Sequence, residues 1–378
     1  MKYLIFTFVF LLPFILFPQT QRCSTDEYRE GLREKKSIIS HSYSSLKKTN
    51  QFFGNIPVVV HILYNNENQN ISNERVYSQI DVLNADFTAS NSDLLNVPDV
   101  FIPGNMGISF CLVQSDLNGN NFSGINRVFT DVESFSVTGD AMKQSSQGGV
   151  NAWDPENYLN IWVCNLSGNS LGFATMPGDV SLELDGVVID YEYFGVDQTS
   201  SSPYNLGRTA THEIGHYFNL EHIFYAGCSD WDGCADTPAT TSANYGCPEY
   251  PQESCQTIDM TMNFMDYVND ACMYMFTPCQ VNRMLSAISN FRPNLLSTSE
   301  DCSISIPEMD ESAIIYPNPC NDYINIVSHN TKILLFDIYG RQVLSKYIQD
   351  QSTLDLSKLP PGTYILRDKK SNYPIFKQ

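Results

Sequence analysis

His212, Glu213, His216 and His222 are the residues of this chain whose types and spacing could do chemistry. An α-helix turns once in about 3.6 residues, so His212 and His216 lie one turn apart on one face and can grip a single ion. Glu213, beside them, could take a proton from a metal-bound water while three neutral imidazoles hold zinc and leave its fourth position open. That combination is the chemistry of a zinc hydrolase. His222 would point away if the helix ran on from His216. The spacing therefore predicts a break near Asn219, Asn being the commonest non-glycine residue in left-handed backbone. A chance H-E-x-x-H on a buried helix is the bland competitor, and His222 weighs against it: three of the chain's six histidines fall between 212 and 222.

These side chains need a scaffold. Residues 56–64 form a β-branched run of strand length, in which His61 reads as a packed strand residue and not as a ligand. Ser72 suits the N-cap of a helix in which Val76, Ile80, Leu83 and Phe87 recur at helical spacing and would bury one face against a sheet. Further strands are predicted at 107–113, 158–164 and 186–191, the last shortly before the metal-binding helix. The pattern is α/β: a twisted sheet backed by helices.

Composition agrees with an exported enzyme of more than one domain. A chain of 378 residues, 42% hydrophobic and 12% aromatic, has ample material for a core. Its 42 acidic against 22 basic residues, net −20, argue against binding nucleic acid or an anionic membrane by bulk attraction. They suit cationic peptides and calcium. Met1-Lys2 followed by the apolar run 3–17 reads as a signal peptide, too short and too early for a spanning helix, with cleavage near Gln19 or Gln21. Export makes disulfides possible. Eleven cysteines is an odd number, so at least one lacks an intramolecular partner, and the candidate is Cys23, alone in its segment.

Taken together, residues 212–222, the segment 227–238 and Asn263-Phe264-Met265-Asp266-Tyr267 through Cys272 resemble the pappalysin family of metzincins, in its small microbial, ulilysin-like (cytophagalysin) branch. The resemblance spans about residues 56–292, and Asn219 departs from it mildly, since the family usually has Gly there. It implies an α+β metzincin-like fold, a twisted mixed sheet with a backing helix and the zinc-binding active-site helix, in which His212, His216 and His222 bind one catalytic zinc, Glu213 is the general base, and Met265 forms an apolar floor beneath the histidines. Tyr267 would hydrogen-bond the tetrahedral intermediate. Asp270 falls at the base of the pocket for the side chain after the scissile bond, which implies cleavage before Arg or Lys; on its own it reads equally as a solvated loop residue. The edge strand 171–177, with Gly172 and Ala174, would pair with an extended substrate.

The resemblance extends to regulation and stabilisation. Cys23 and the charged segment 26–36 resemble a prosegment whose thiolate holds the zinc latent; the alternative is a free or intermolecularly paired cysteine in a tail. Asp232, Ala235 and Thr237, with Asp236, lie where the family binds calcium. It also implies the disulfides Cys228–Cys255 and Cys247–Cys272. Cys234 with Cys279, Cys111 with Cys164 and Cys302 with Cys320 are the pairs left by elimination.

After an acidic linker at 297–312, alternating strands at 323–327 and 333–338 and a turn and strand at 359–366 predict a small all-β sandwich. It resembles the C-terminal sorting domain of type IX secretion in Bacteroidetes-like bacteria, whose machinery would be its partner. Without that resemblance it could equally bind carbohydrate. The expected organisation is a signal peptide (1–20), propeptide (21–50), catalytic domain (51–296), linker (297–312) and sorting domain (313–378). The sequence thus points to a secreted zinc endopeptidase acting on proteins, able to trim itself near Lys47-Lys48. A zinc-stabilised surface adhesin is the competing class, and it has no use for Glu213.

Overall fold

A computed structural model describes residues 21–35, 54–229, 232–296, 314–316, 320–327, 331–337, 341–348, 351–367 and 372–378. The expected signal peptide, the linker, Cys302 and the Lys47-Lys48 cleavage point lie outside these residues. Two units divide at Ser303. In the first, the chain runs α1 (Thr25–Lys35), β1 (Gly54–Tyr64), α2 (Asn73–Phe87), β2 (Ile108–Leu112), β3 (Ile125–Phe129), β4 (Leu159–Cys164), β5 (Gly172–Ala174), β6 (Val187–Asp190) and α3 (Arg208–Tyr217). A short ribbon, β7 (Glu253–Ser254) with β8 (Thr257–Ile258), precedes α4 (Pro278–Phe291).

The sheet order is β2-β1-β4-β6-β5, with β3 continuing beyond β2 along the same edge of β1. All pairings are parallel except β5 with β6. The strands expected at 56–64, 107–113, 158–164 and 186–191 are β1, β2, β4 and β6. A parallel sheet is covered on both faces, and the near-continuous burial of β1, β4 and β6 follows from that. One face packs on α2, α3 and α4; the other forms a separate apolar cluster around Trp162, Phe173 and Met142. Ser72 caps α2 by accepting from Arg75 N, and Val76, Ile80, Leu83 and Phe87 are its buried face.

His61 sits fully buried on β1. One ring nitrogen meets Asn160 Oδ1 at 2.8 Å and the other Asn126 Nδ2 at 3.1 Å, an arrangement that suits the neutral ring. Burial lowers its pKa from 6.5 to about 4. Protons then favour the unfolded chain, so this stabilisation is full above pH 6.5 and drains as the pH falls toward 4. The ring should remove roughly 3 kcal/mol of unfolding free energy over that window. Urea titrations at several pH values check this, because His61→Gln should flatten that part of the profile; an unaltered slope would reject the assignment.

The second unit is a sandwich of short strands with alternating burial. β9 (Ile314–Tyr316), β10 (Tyr323–Val327), β11 (Thr331–Asp337), β12 (Gln342–Ile348), β13 (Gln351–Asp355), β14 (Gly362–Arg367) and β15 (Asn372–Lys377) form two sheets, ordered β13-β10-β9 and β12-β11-β14-β15. Ile324, Ile326, Ile333, Leu335, Leu354, Leu366 and Ile375 fill the space between them.

Candidate active site

Helix α3 is buried along its whole length, and polar contacts fix its ends. At its start, Gln79 of α2 donates to Gly207 O (2.9 Å), Thr211 donates to Asp86 (2.7 Å), and Arg208 bridges Asp86 and Asp93. At its end, the chain turns through left-handed Asn219 (φ 76°), and Leu220 N returns to Gly215 O. Two cations of the α4 region cap that end: Arg283 donates to Asn219 O at 2.6 Å and Arg292 to Tyr217 O at 2.8 Å. The turn at Asn219 swings His222 back over the helix face.

The three imidazoles converge there. His222 Nε2 lies 3.2 Å from His212 Nε2 and 3.0 Å from His216 Nε2. Their outer nitrogens face oxygens: His212 Nδ1 meets Phe264 O (2.6 Å), His216 Nδ1 meets Leu220 O (2.7 Å) and His222 Nδ1 meets Asp26 Oδ2 (3.1 Å). Oxygen acceptors put the protons on Nδ1, so three lone pairs point at one another, an arrangement that calls for a cation. Burial, then the neighbouring imidazoles, holds His212 and His216 well below 6.5 and hence neutral. Cys23 Sγ completes the group, all four donor atoms lying within 4.8 Å of one another. Nitrogen and thiolate donors in that number fit tetrahedral zinc.

Beneath the histidines, a Cβ on Gly215 would stand 2.5 Å from Met265 Sδ, so glycine is what lets the methionine floor approach the helix. The floor is held from α4: Asn263 accepts from Met265 N and exchanges amide hydrogen bonds with Gln280.

Glu213 is fully buried, and burial raises its pKa from 4.5 to about 8. Its Oε2 accepts from Thr25 Oγ1 (2.9 Å) and lies 3.5 Å from Cys23 Sγ; its Oε1 has no hydrogen-bond partner among the described residues. Both contacts therefore come from the N-terminal segment. That segment runs parallel to the edge strand: Gln21 bridges Ser170, Ser24 N donates to Gly172 O (2.9 Å), and Ala174 N donates to Thr25 Oγ1 (2.9 Å). Just before Cys23, Arg22 Nη1 meets Asp270 Oδ1 at 2.7 Å, both side chains fully buried, with Tyr204 stacked on the guanidinium. Backbone N–H groups of Leu206 and Arg208 hold the other Asp270 oxygen. Tyr267 lies beside His222 and directs its hydroxyl at Cys23 O (3.5 Å).

Comparison with known proteins places this geometry. The family model described as pregnancy-associated plasma protein-A matches residues 143–289. An extracellular metalloprotease of Podospora anserina is 34% identical over 55% of this chain and 68% of its own, and one of Colletotrichum graminicola is 32% identical over 63% and 77%. The chain belongs to the pappalysin metallopeptidases. Mature mirolysin of Tannerella forsythia, solved with a cleaved peptide, is 44% identical with TM-score 0.65 over 67% of this chain and 98% of that one. A promirolysin mutant of the same species is 41% identical with TM-score 0.64 over 73% and 91%. This pappalysin is thus a zinc metalloendopeptidase with a metzincin catalytic unit. Residues 314–378 match the secretion system C-terminal sorting domain, which marks a type IX substrate of Bacteroidetes exported from the cell. No helix among the described residues is long and apolar enough to cross a membrane.

The disulfides Cys228–Cys255 and Cys247–Cys272 are formed. The pairs joined by elimination are corrected. Cys111 is disulfide-bonded but Cys164 is free, because β1 lies between β2 and β4 and holds them about 9–10 Å apart, beyond disulfide reach. Cys320 is a free thiol, so it does not pair with Cys302. Cys234 and Cys279 are free neighbours beside Asp236. In the loop expected to bind calcium, Thr237 Oγ1 donates to Asp232 Oδ1 at 2.7 Å, Ala235 is exposed, and Asp236 instead accepts from Thr277 Oγ1 and Cys279 N at the start of α4. Sequence reasoning missed Arg22, Thr25 and Asp26, although Arg22 carried a signal: a cation next to the candidate latch in a chain whose expected pocket selects cations.

Proposed function

We propose that this pappalysin is made latent, with Cys23 as fourth donor to a zinc held by His212, His216 and His222, and that once matured it cuts before Arg or Lys. The observation that carries the proposal is Arg22: a guanidinium seated on Asp270 one residue from the metal centre occupies the pocket as a substrate side chain would. A buried carboxylate whose second oxygen is already bonded by backbone accepts a cation far more readily than an apolar group.

When bound, zinc polarises the scissile carbonyl and acidifies water. The chain's own residues do the rest. Gly172 O and Ala174 N bind substrate backbone after Ser24 and Thr25 leave them. Glu213, freed of Thr25 and Cys23, takes the proton and delivers it to the leaving amine. Tyr267 donates to the developing oxyanion. Met265 sets the floor. Asp232, Ala235 and Thr237 would hold a structural calcium, for which carboxylate, carbonyl and hydroxyl oxygens are hard donors. Residues 21–50 act as propeptide, 51–296 as catalytic domain and 313–378 as sorting domain.

The test uses full-length zymogen. Cys23→Ser is expected to shorten the activation lag several-fold, and new N-termini released from a mixed peptide library should begin with Arg or Lys and vanish with a zinc chelator. An unchanged lag overturns the latch; termini without Arg or Lys overturn the pocket.

A further inference from the structure

Tyr28 fills a socket built by the catalytic unit and not by the segment it belongs to. It lies on α1 five residues beyond Cys23 and is 1% exposed. Its ring packs on Phe173 of β5 at 4.8 Å, its hydroxyl donates to Asp140 Oδ1 at 2.8 Å, and Lys143 Nζ stands 4.9 Å from the ring centroid. Contacts independent of Tyr28 fix these walls. Lys143 donates to Leu184 O (2.8 Å) and pairs with Asp140 (3.2 Å), while Trp162, Phe135 and Met142 pack behind. Removing α1 would leave an aromatic slot with a cation over one face and a carboxylate at its end.

We propose that this socket is a substrate subsite, taking a tyrosine side chain from the stretch before the scissile bond. The inference rests on the reading of Asp270 as the pocket for the residue after that bond. Beyond Cys23 the N-terminal segment moves away from the Arg22 pocket: Thr25 meets Ala174 N, and α1 then carries Arg29 to Asp179 past the end of β5 and Tyr28 onto Phe173, an ordering that puts the socket across the metal centre from Asp270. The chemistry selects tyrosine: a π face for the ammonium, a tilted aromatic neighbour and a hydroxyl for Asp140. A phenylalanine would lose the last contact and an aliphatic side chain the first two as well.

Mature enzyme and peptides with Arg after the cut test it, with Tyr, Phe or Ala scanned through about six preceding positions. One position should favour Tyr over Ala by about tenfold in kcat/KM and over Phe by about fivefold. Asp140→Asn should bring the Tyr-to-Phe ratio toward one, which a merely structural role for Asp140 would not. A flat scan with zinc-dependent cutting before Arg would sink the socket and leave the pocket reading intact. Cutting that ignores Arg, or no cutting of any peptide, would overturn both.

Discussion

Glu213→Gln is expected to lower kcat/KM by about 10⁴ while one zinc per chain stays bound. The amide matches the carboxylate in shape, and none of the contacts that hold His212, His216 and His222 involves Glu213: their Nδ1 atoms rest on Phe264 O, Leu220 O and Asp26. What disappears is the carboxylate proposed to accept the proton. Among the described residues Glu213 Oε1 has no partner, and Oε2 is bonded only to the N-terminal segment, the proposed propeptide. Steady-state cleavage of an Arg-containing peptide, with elemental analysis of the same sample, checks the prediction. Activity within tenfold of wild type would remove Glu213 from the mechanism; lost zinc would make its role structural. N-terminal sequencing of the variant adds a second readout, since self-trimming requires Glu213 and processing by another protease does not.

Asp270→Asn is expected to lower kcat/KM for peptides with Arg after the cut by roughly 10²–10³ and to leave apolar residues there nearly unaffected. Removing one member of a buried, hydrogen-bonded ion pair costs about 3–5 kcal/mol, because the remaining charge stays buried and unpaired. Asparagine keeps an oxygen for Leu206 N and Arg208 N, so the loop at the start of α3 is spared. The same change acts on the proposed zymogen: Arg22, fully buried against Asp270, loses its counter-charge, and the variant should mature sooner. Equal losses for Arg and apolar peptides would mean that Asp270 supports the site without selecting substrate.

Much of this site is legible in the sequence. The break at Asn219 followed from the distance between His216 and His222, and the residue there takes the left-handed backbone that the spacing required. β1, β2, β4 and β6 and helix α2 were readable because their apolar periodicity is strong over whole elements. Helix α1 was not, because its only large apolar residues are Tyr28 and Leu32 in an otherwise charged stretch, which leaves too thin a stripe to separate it from a tail. β3 is five residues with mixed burial and gave no alternation. The elimination pairs failed because counting cysteines says nothing of which strands stand between them.

What the sequence determined alone is local in the chain. Three histidines, a glutamate and a turn former within a dozen residues dictate a metal-binding helix, since helical geometry converts spacing directly into direction. What only the tertiary structure decided is long-range. Arg22 meets Asp270 across 248 positions and Thr25 meets Glu213 across 188, while Tyr28 meets Asp140 across 112. No periodicity encodes such pairs. They exist because the edge of the sheet offers β5 to an extended segment, and once that segment is paired, its alternating side chains are delivered to the pocket, the metal centre and the carboxylate.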